Sequence, residues 1–187
     1  MEKQIKGAKK MNLNCLFKHQ KSLDDRIVKE KQLEGQDLFK KKIVALICEL
    51  YEMTNEGRWF KFWSDNQTPN VNVWKTEMKH GKPQPVIKNM LLEEYVDVIH
   101  FTLSIANDLD YTNHEYIKTQ PHDLNDLVIG ITNAITVLSA SPNHDLMQSI
   151  FNNIITLGYQ LGFTEKEVIA AYHNKNKVNH ERQENGY

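Results

Sequence analysis

The chain has 187 residues, a net charge of −1 at pH 7 and two cysteines, Cys15 and Cys48. This length allows one domain with a continuous hydrophobic core that needs no disulfide and no structural metal. The near-neutral charge provides no positive field that would attract DNA or RNA, so we expect no nucleic-acid partner. No stretch is long and apolar enough for a signal peptide or a membrane span, so we expect a cytoplasmic protein with reduced thiols and no membrane partner.

Apolar residues recur at steps of three and four through most of the chain, and this periodicity predicts helices. We therefore predict an all-α helical bundle in a single domain, residues 11–187. Residues 1–10 are then a leader or an added segment before a natural start at Met11. The predicted helices lie at about 13–34, 36–56, 86–108, 123–140 and 144–161, with a last one that begins at Thr164. A capping box at Thr164-Glu-Lys-Glu167 marks that last start.

The segment from Gly57 to Pro85 loses the helical periodicity and contains all three tryptophans. We predict a short helical turn there, followed by a long, partly ordered loop. Loops of this length are uncommon in a compact domain unless they have a function. The sequence does not say which function that is.

Two of the predicted helices carry paired acidic residues among apolar neighbours. Glu49 and Glu52 are three residues apart, and Glu94 and Asp97 repeat this spacing, so each pair lies on one helix face. A single pair is most simply the solvated side of an amphipathic helix, but two matched pairs favour a site. If the pairs face each other about 5 Å apart, each contact costs roughly 3 kcal/mol at an effective dielectric of about 20. Such a cluster needs cations, and oxygen ligands alone favour Mg2+ or Mn2+.

A di-iron site is a weaker alternative for these carboxylates. Di-iron carboxylate bundles require Glu-x-x-His on two helices. Only Glu77-Met-Lys-His80 has this spacing, and it lies in the predicted loop. We interpret His100, three residues after Asp97, as a packed or hydrogen-bonded histidine rather than a metal ligand.

These motifs resemble those of the all-α NTP pyrophosphatases, which include dimeric dUTPases, phage dCTPase/dUTPases and MazG-like enzymes. The family mark of Glu-x-x-Glu followed by Glu-x-x-Asp matches residues 49–52 and 94–97. The similarity to dimeric dUTPases extends to further segments, namely Gln20-Lys-Ser-Leu-Asp24, Asn55-Glu56, Phe60-Lys61-Phe62-Trp63, residues 92–101 and the tail 175–187. The chain departs from the family pattern in a longer, more polar loop at 66–85 and in Asp24, where asparagine is commoner.

The resemblance implies a symmetric homodimer that hydrolyses dUTP, and dUDP as a second candidate, to dUMP. It implies more than one Mg2+ ion, with Mn2+ as a substitute, held by four carboxylates: Glu49, Glu52, Glu94 and Asp97. Glu49 would also take the proton of the attacking water. The implied phosphate-binding residues are Lys175, Asn179, Arg182 and Lys61. The implied base-binding residues are Gln20, Asn107 and Trp63, with Trp59 as an alternative to Trp63.

Lys175, Asn179 and Arg182 share one helix face only if the last helix continues past His173. Because residues 174–185 are polar, we expect this part to be mobile without ligand and ordered by phosphate. Two alternatives to dUTP hydrolysis stay open at this point. One is hydrolysis of dCTP or another nucleoside triphosphate by the same fold, and the other is a non-enzymatic helical interaction module.

Overall fold

The computed structural model describes residues 11–79, 81–120 and 122–185. Within these ranges the chain forms six helices and one β-hairpin. The helices are α1 Leu16–Glu30, α2 Phe39–Gly57, α3 Met90–Asp108, α4 Leu124–Ala140, α5 His144–Gln160 and α6 Glu165–Glu184, and the hairpin strands are β1 Val73–Lys79 and β2 Lys82–Lys88. The predicted all-α fold is confirmed. Residues 1–10 and the last two residues, Gly186 and Tyr187, lie outside the described ranges, so the division of the chain at Met11 stays a prediction.

Four of the six helices described begin at a residue whose side chain caps the helix. Thr164 forms the predicted capping box with Glu167 at the start of α6, which satisfies backbone N–H groups that have no partner inside the helix. Helix α2 stops at its C-terminal end because the next residue, Arg58, adopts a left-handed backbone conformation with φ +63°. Gly57 precedes it, and a Cβ at this position would lie 1.9 Å from the Trp59 ring. Only glycine, which has no Cβ, allows the Trp59 ring to lie so close to the backbone at this position.

Helix α3 is the centre of the molecule, as its apolar circumference predicts. It packs against α1, α2, α5 and α6, and most of its residues between Leu91 and Ala106 are buried. Helix α5 contributes a second run of fully buried side chains to the same core. No described helix has the length and hydropathy that a membrane crossing requires.

The prediction of a long loop up to Pro85 is wrong, because residues 73–88 form an antiparallel hairpin. For the same reason α3 begins at Met90 and not at residue 86. The two strands pair from Val73 opposite Lys88 to Lys79 opposite Lys82. Pro83 and Pro85 suggested a loop, but proline fits an edge strand where its nitrogen faces away from the neighbouring strand. The part before the hairpin does turn tightly, with hydrogen bonds from Lys61 N to Arg58 O at 3.1 Å and from Ser64 N to Lys61 O at 3.0 Å.

Candidate active site

The close packing of α2 on α3 brings acidic residues of both helices together. Carboxylate oxygens of Glu49, Glu94 and Asp97 all lie within 4.8 Å of one another. Asp97 is 9 % exposed, whereas the two glutamates are half-buried. Glu52, one turn after Glu49, is exposed and lines an adjoining cavity of about 430 Å³ together with Glu94. The fourth predicted ligand therefore lies beside the triad rather than inside it.

Burial and mutual repulsion strongly perturb this cluster. Burial, followed by the charges of Asp97, Glu52 and Glu94, raises the pKa of Glu49 to about 7. Burial and the charge of Asp97 raise the pKa of Glu94 to about 7 as well. Ionising all the carboxylates therefore costs free energy when no cation is present. A bound cation would lower this cost, so the arrangement favours metal binding.

A lysine from the C-terminal helix supplies one positive charge to the cluster. Lys175 Nζ donates a hydrogen bond to Asp97 Oδ2 at 2.5 Å and lies 4.0 Å from Glu93 Oε1. The pKa of Asp97 is nevertheless raised, because burial outweighs the effect of Lys175. Sequence reasoning assigned Lys175 to phosphate binding and missed this contact, since nothing in the local sequence places α6 over α3.

The other predicted phosphate-binding residues lie farther along α6 or before the hairpin. Helix α6 continues to Glu184, so the condition for a shared face of Lys175, Asn179 and Arg182 is met. Arg182 Nη1 donates to Asn179 Oδ1 at 3.4 Å, and the charge of Arg182 acts to lower the pKa of Asp97. Lys61 lies over the Phe60 ring, with 5.8 Å from its Nζ to the ring centroid.

Gln20 is buried in a polar network that ties α1 to α3 and α6. Its Oε1 accepts a hydrogen bond from the Tyr172 hydroxyl at 3.0 Å and lies 2.7 Å from His100 Nδ1. Its Nε2 donates to Asp24 Oδ1 at 2.8 Å. Burial lowers the pKa of His100 to about 3, so this ring is neutral, and the hydrogen-bonded histidine we expected is present. Tyr172, which stacks on His100 with ring centroids 4.1 Å apart, was not singled out from the sequence.

The remaining predicted base-binding residues have different surroundings. Asn107 Nδ2 donates to the Phe17 carbonyl at 3.1 Å. Trp63 is 65 % exposed and meets the Phe60 ring edge-on, with centroids 5.7 Å apart. Trp59 packs on Gly57, so it contributes more to the packing of the fold than Trp63 does.

A cavity of about 210 Å³ next to this network was also missed. Its walls are mostly apolar, and Asp24, Lys41, Lys42 and Ser104 are its polar residues. Burial raises the pKa of Asp24, although Ser104, Lys42 and Gln20 all act to lower it. Apolar walls with a few converging polar groups are typical of small-molecule sites. The one sequence signal was Asp24 itself, which differs from the residue commoner in similar proteins.

The raised pKa values of Glu49 and Glu94 predict a pH-dependent response to metal. A carboxyl whose pKa rises from 4.5 in the unfolded chain to about 7 in the folded protein destabilises the fold as pH rises through that range. A divalent cation that binds the ionised form, as we expect of Mg2+, would offset this loss. We therefore expect Mg2+ to raise the melting temperature more at about pH 8 than at about pH 5.5. Equal shifts at both pH values in thermal unfolding followed by circular dichroism would contradict this.

The fold and the site together define an all-α protein with an acidic centre between two helices. A family model described as dUTPase matches residues 12–81 and 74–187, and these two matches together span nearly the whole chain. The chain therefore belongs to this dUTPase family, and its activity is the hydrolysis of dUTP. The alternative of a non-enzymatic interaction module is set aside. No curated protein matches the chain.

Proposed function

We propose that the protein converts dUTP to dUMP and pyrophosphate with Mg2+ held by Glu49, Glu52, Glu94 and Asp97. The observation that carries this proposal is the convergence of the Glu49, Glu94 and Asp97 carboxylate oxygens within 4.8 Å, on two closely packed helices. The donor set contains oxygen alone, as Mg2+ prefers. Glu49, Glu94 and Asp97 would hold the ion between α2 and α3, where it would offset the repulsion among their carboxylates. Glu52 beside the triad supports a second ion, and Mn2+ with the same ligand preference would substitute.

Hydrolysis of a phosphoanhydride requires a held polyphosphate, charge neutralisation and an oriented water. When bound, Mg2+ supplies charge neutralisation at the phosphate oxygens. Glu49 is a half-buried carboxylate of the cluster with a pKa raised to about 7, and we assign it the proton of the attacking water. Lys175, Asn179 and Arg182 lie on one face of α6, from which they can hold phosphate oxygens as the anhydride is cleaved.

The orientation of Gln20 supports a role in base recognition. Its Oε1 accepts from Tyr172 and faces His100, and one of its two N–H groups donates to Asp24. What Gln20 offers a base is therefore an N–H donor, which suits a carbonyl oxygen of uracil. Asn107 and Trp63 complete the proposed base-binding set, and Trp63 is exposed enough to stack on a ring.

A homodimer is supported by an uncharged surface shared by α2 and α4. Val44 and Tyr51 of α2 and Ile129 and Val137 of α4 are each about half exposed or more. The Tyr51 hydroxyl lies 3.2 Å from Thr132 Oγ1 and joins the two helices. Helix α5, by contrast, keeps most of its apolar residues buried within the protomer. Cys48 is an exposed free thiol on α2, which is compatible with the cytoplasmic location that we propose.

A substrate panel tests the proposed function. With Mg2+, dUTP should give the highest rate among dUTP, dUDP, dCTP, dTTP and UTP, measured as nucleoside monophosphate by chromatography. Gln20→Glu removes the N–H donor and should raise KM for dUTP by about tenfold or more, because a ligand carbonyl then faces an oxygen. Gln36→Glu is the control, since Gln36 is exposed before α2. Equal rates for dCTP and dUTP, or an unchanged KM in Gln20→Glu, would refute the base assignment.

A further inference from the structure

The β1–β2 hairpin turns its apolar face away from the protein. Cross-strand pairing places six residues on this face, namely Trp74 opposite Ile87, Thr76 opposite Pro85 and Met78 opposite Pro83. All six are exposed, and Trp74 and Met78 are 68 % and 69 % exposed. The opposite face is tied to the body of the protein, since Lys88 Nζ lies 2.7 Å from Glu77 Oε1 and 3.8 Å from Glu93 Oε2.

The two outer edges of the hairpin differ in their ability to pair with another strand. Proline has no N–H, so Pro83 and Pro85 lie where the β2 nitrogens point away from β1. The outer edge of β2 therefore lacks two donors and is blocked. Thr76 and Met78, their partners on β1, must likewise point their N–H and C=O groups outward. In the described part of the chain these outward groups receive no hydrogen bond from another element, so the β1 edge is open.

We propose that the open β1 edge pairs antiparallel with the β1 edge of a second copy of this chain. A two-fold axis at Thr76 places Trp74 opposite Met78 of the other copy. It also places Lys75 of each copy opposite Glu77 of the other copy, so that two pairs of opposite charges meet across the interface. In this register the outward groups of Trp74, Thr76 and Met78 form the new hydrogen bonds. The result is a four-stranded sheet with an uninterrupted apolar face, and the prolines of β2 stop it from growing further.

The proposed pairing adds to a larger contact rather than holding two copies together alone. A stable interface buries about 800 Å² per partner, and one seven-residue strand edge supplies much less. The uncharged α2–α4 surface is the additional area that the chain offers. The β1 pairing does not depend on the proposed substrate or metal site, because each of its steps rests on the hairpin itself.

A proline substitution tests the edge pairing. Thr76→Pro removes only an outward N–H and leaves the β1–β2 ladder intact, as Pro85 does on the facing strand. Two hydrogen bonds are lost per pair of copies, so the dissociation constant measured by sedimentation should rise about tenfold or more. Thr76→Val keeps the N–H and is the matched control. An equal dissociation constant for both variants, with circular dichroism like the wild type, overturns the proposal.

Charge reversal tests the register. Lys75→Glu places two carboxylates opposite each other, and Glu77→Lys places two ammonium groups there, so each single variant should associate several-fold more weakly. The double variant restores opposite charges across the interface and should associate more tightly than either single variant, although the intrachain pair of Glu77 with Lys88 stays broken. Double variants that associate no better than the singles overturn the register.

A disulfide locates the contact independently of affinity. Thr76→Cys in a Cys15→Ser, Cys48→Ser background should form a covalent dimer under mild oxidation, because the two-fold axis brings this position onto itself. Gln84→Cys, on the blocked strand, should not. Cross-linking at position 84 but not at position 76 overturns the proposal, as does a Thr76→Cys protein that stays monomeric on a non-reducing gel.

Discussion

Replacing Glu94 with glutamine should lower dUTP turnover by about a thousandfold, which corresponds to about 4 kcal/mol of lost transition-state stabilisation. Glutamine is nearly isosteric with glutamate but loses one charge and one strong metal ligand. It also removes one of the charges that raise the pKa of Glu49, where burial, Asp97 and Glu52 have larger effects. Without metal, the variant should therefore have a higher melting temperature than the wild type. Mg2+ should then raise the melting temperature of the variant by less than it raises that of the wild type.

This combination of effects separates a metal ligand from a residue that merely supports the fold. A structural role would lower both activity and thermal stability. Glu34→Gln changes the charge equally at an exposed position outside the helices and should leave turnover and the Mg2+ response unchanged. Glu94→Gln that retains more than about a tenth of wild-type activity would remove Glu94 from the site, since loss of a metal ligand costs far more than this.

Replacing Lys175 with glutamine should have opposite effects on metal binding and on turnover. Lys175 contacts Asp97, one of the proposed ligands, so its ammonium group competes with Mg2+ when no nucleotide is bound. Removing an ion pair worth about 1 kcal/mol should raise the affinity for Mg2+ alone about fivefold. Turnover should nevertheless fall about a hundredfold, because the charge is then missing at the phosphates.

Isothermal titration with Mg2+ alone and steady-state assays with dUTP measure these two effects separately. Lys177→Gln is the matched control, since the side chain of Lys177 is 78 % exposed and pairs with Glu181 on its own helix. Weaker Mg2+ binding in Lys175→Gln would show that this lysine supports the metal site rather than competing for it. Unchanged turnover would refute its assignment to phosphate.

Features that depend on neighbours in the sequence were predictable, and features that depend on distant segments were not. The spacing of Glu49, Glu94 and Asp97 along their helices predicted which faces of α2 and α3 are acidic. The capping box predicted the start of α6. The sequence did not reveal the contact of Lys175 with Asp97 or the network around Gln20, because both join residues from separate helices. The hairpin was missed for a different reason, since Pro83 and Pro85 break a strand unless it lies at an edge.

The burial of α6 is uneven along its length. Its buried residues are Val168, Tyr172 and Asn176, all in the first twelve positions of the helix. Asn179 and Arg182 follow, in the part that lies outside the core. This second half can therefore unfold locally while the core remains intact. If Asn179 and Arg182 hold phosphate oxygens as proposed, the conformational entropy of their side chains is retained in the free enzyme and lost only when substrate is bound. Part of the binding energy of the triphosphate would then be spent on ordering the helix end, which would favour release once the product is shorter.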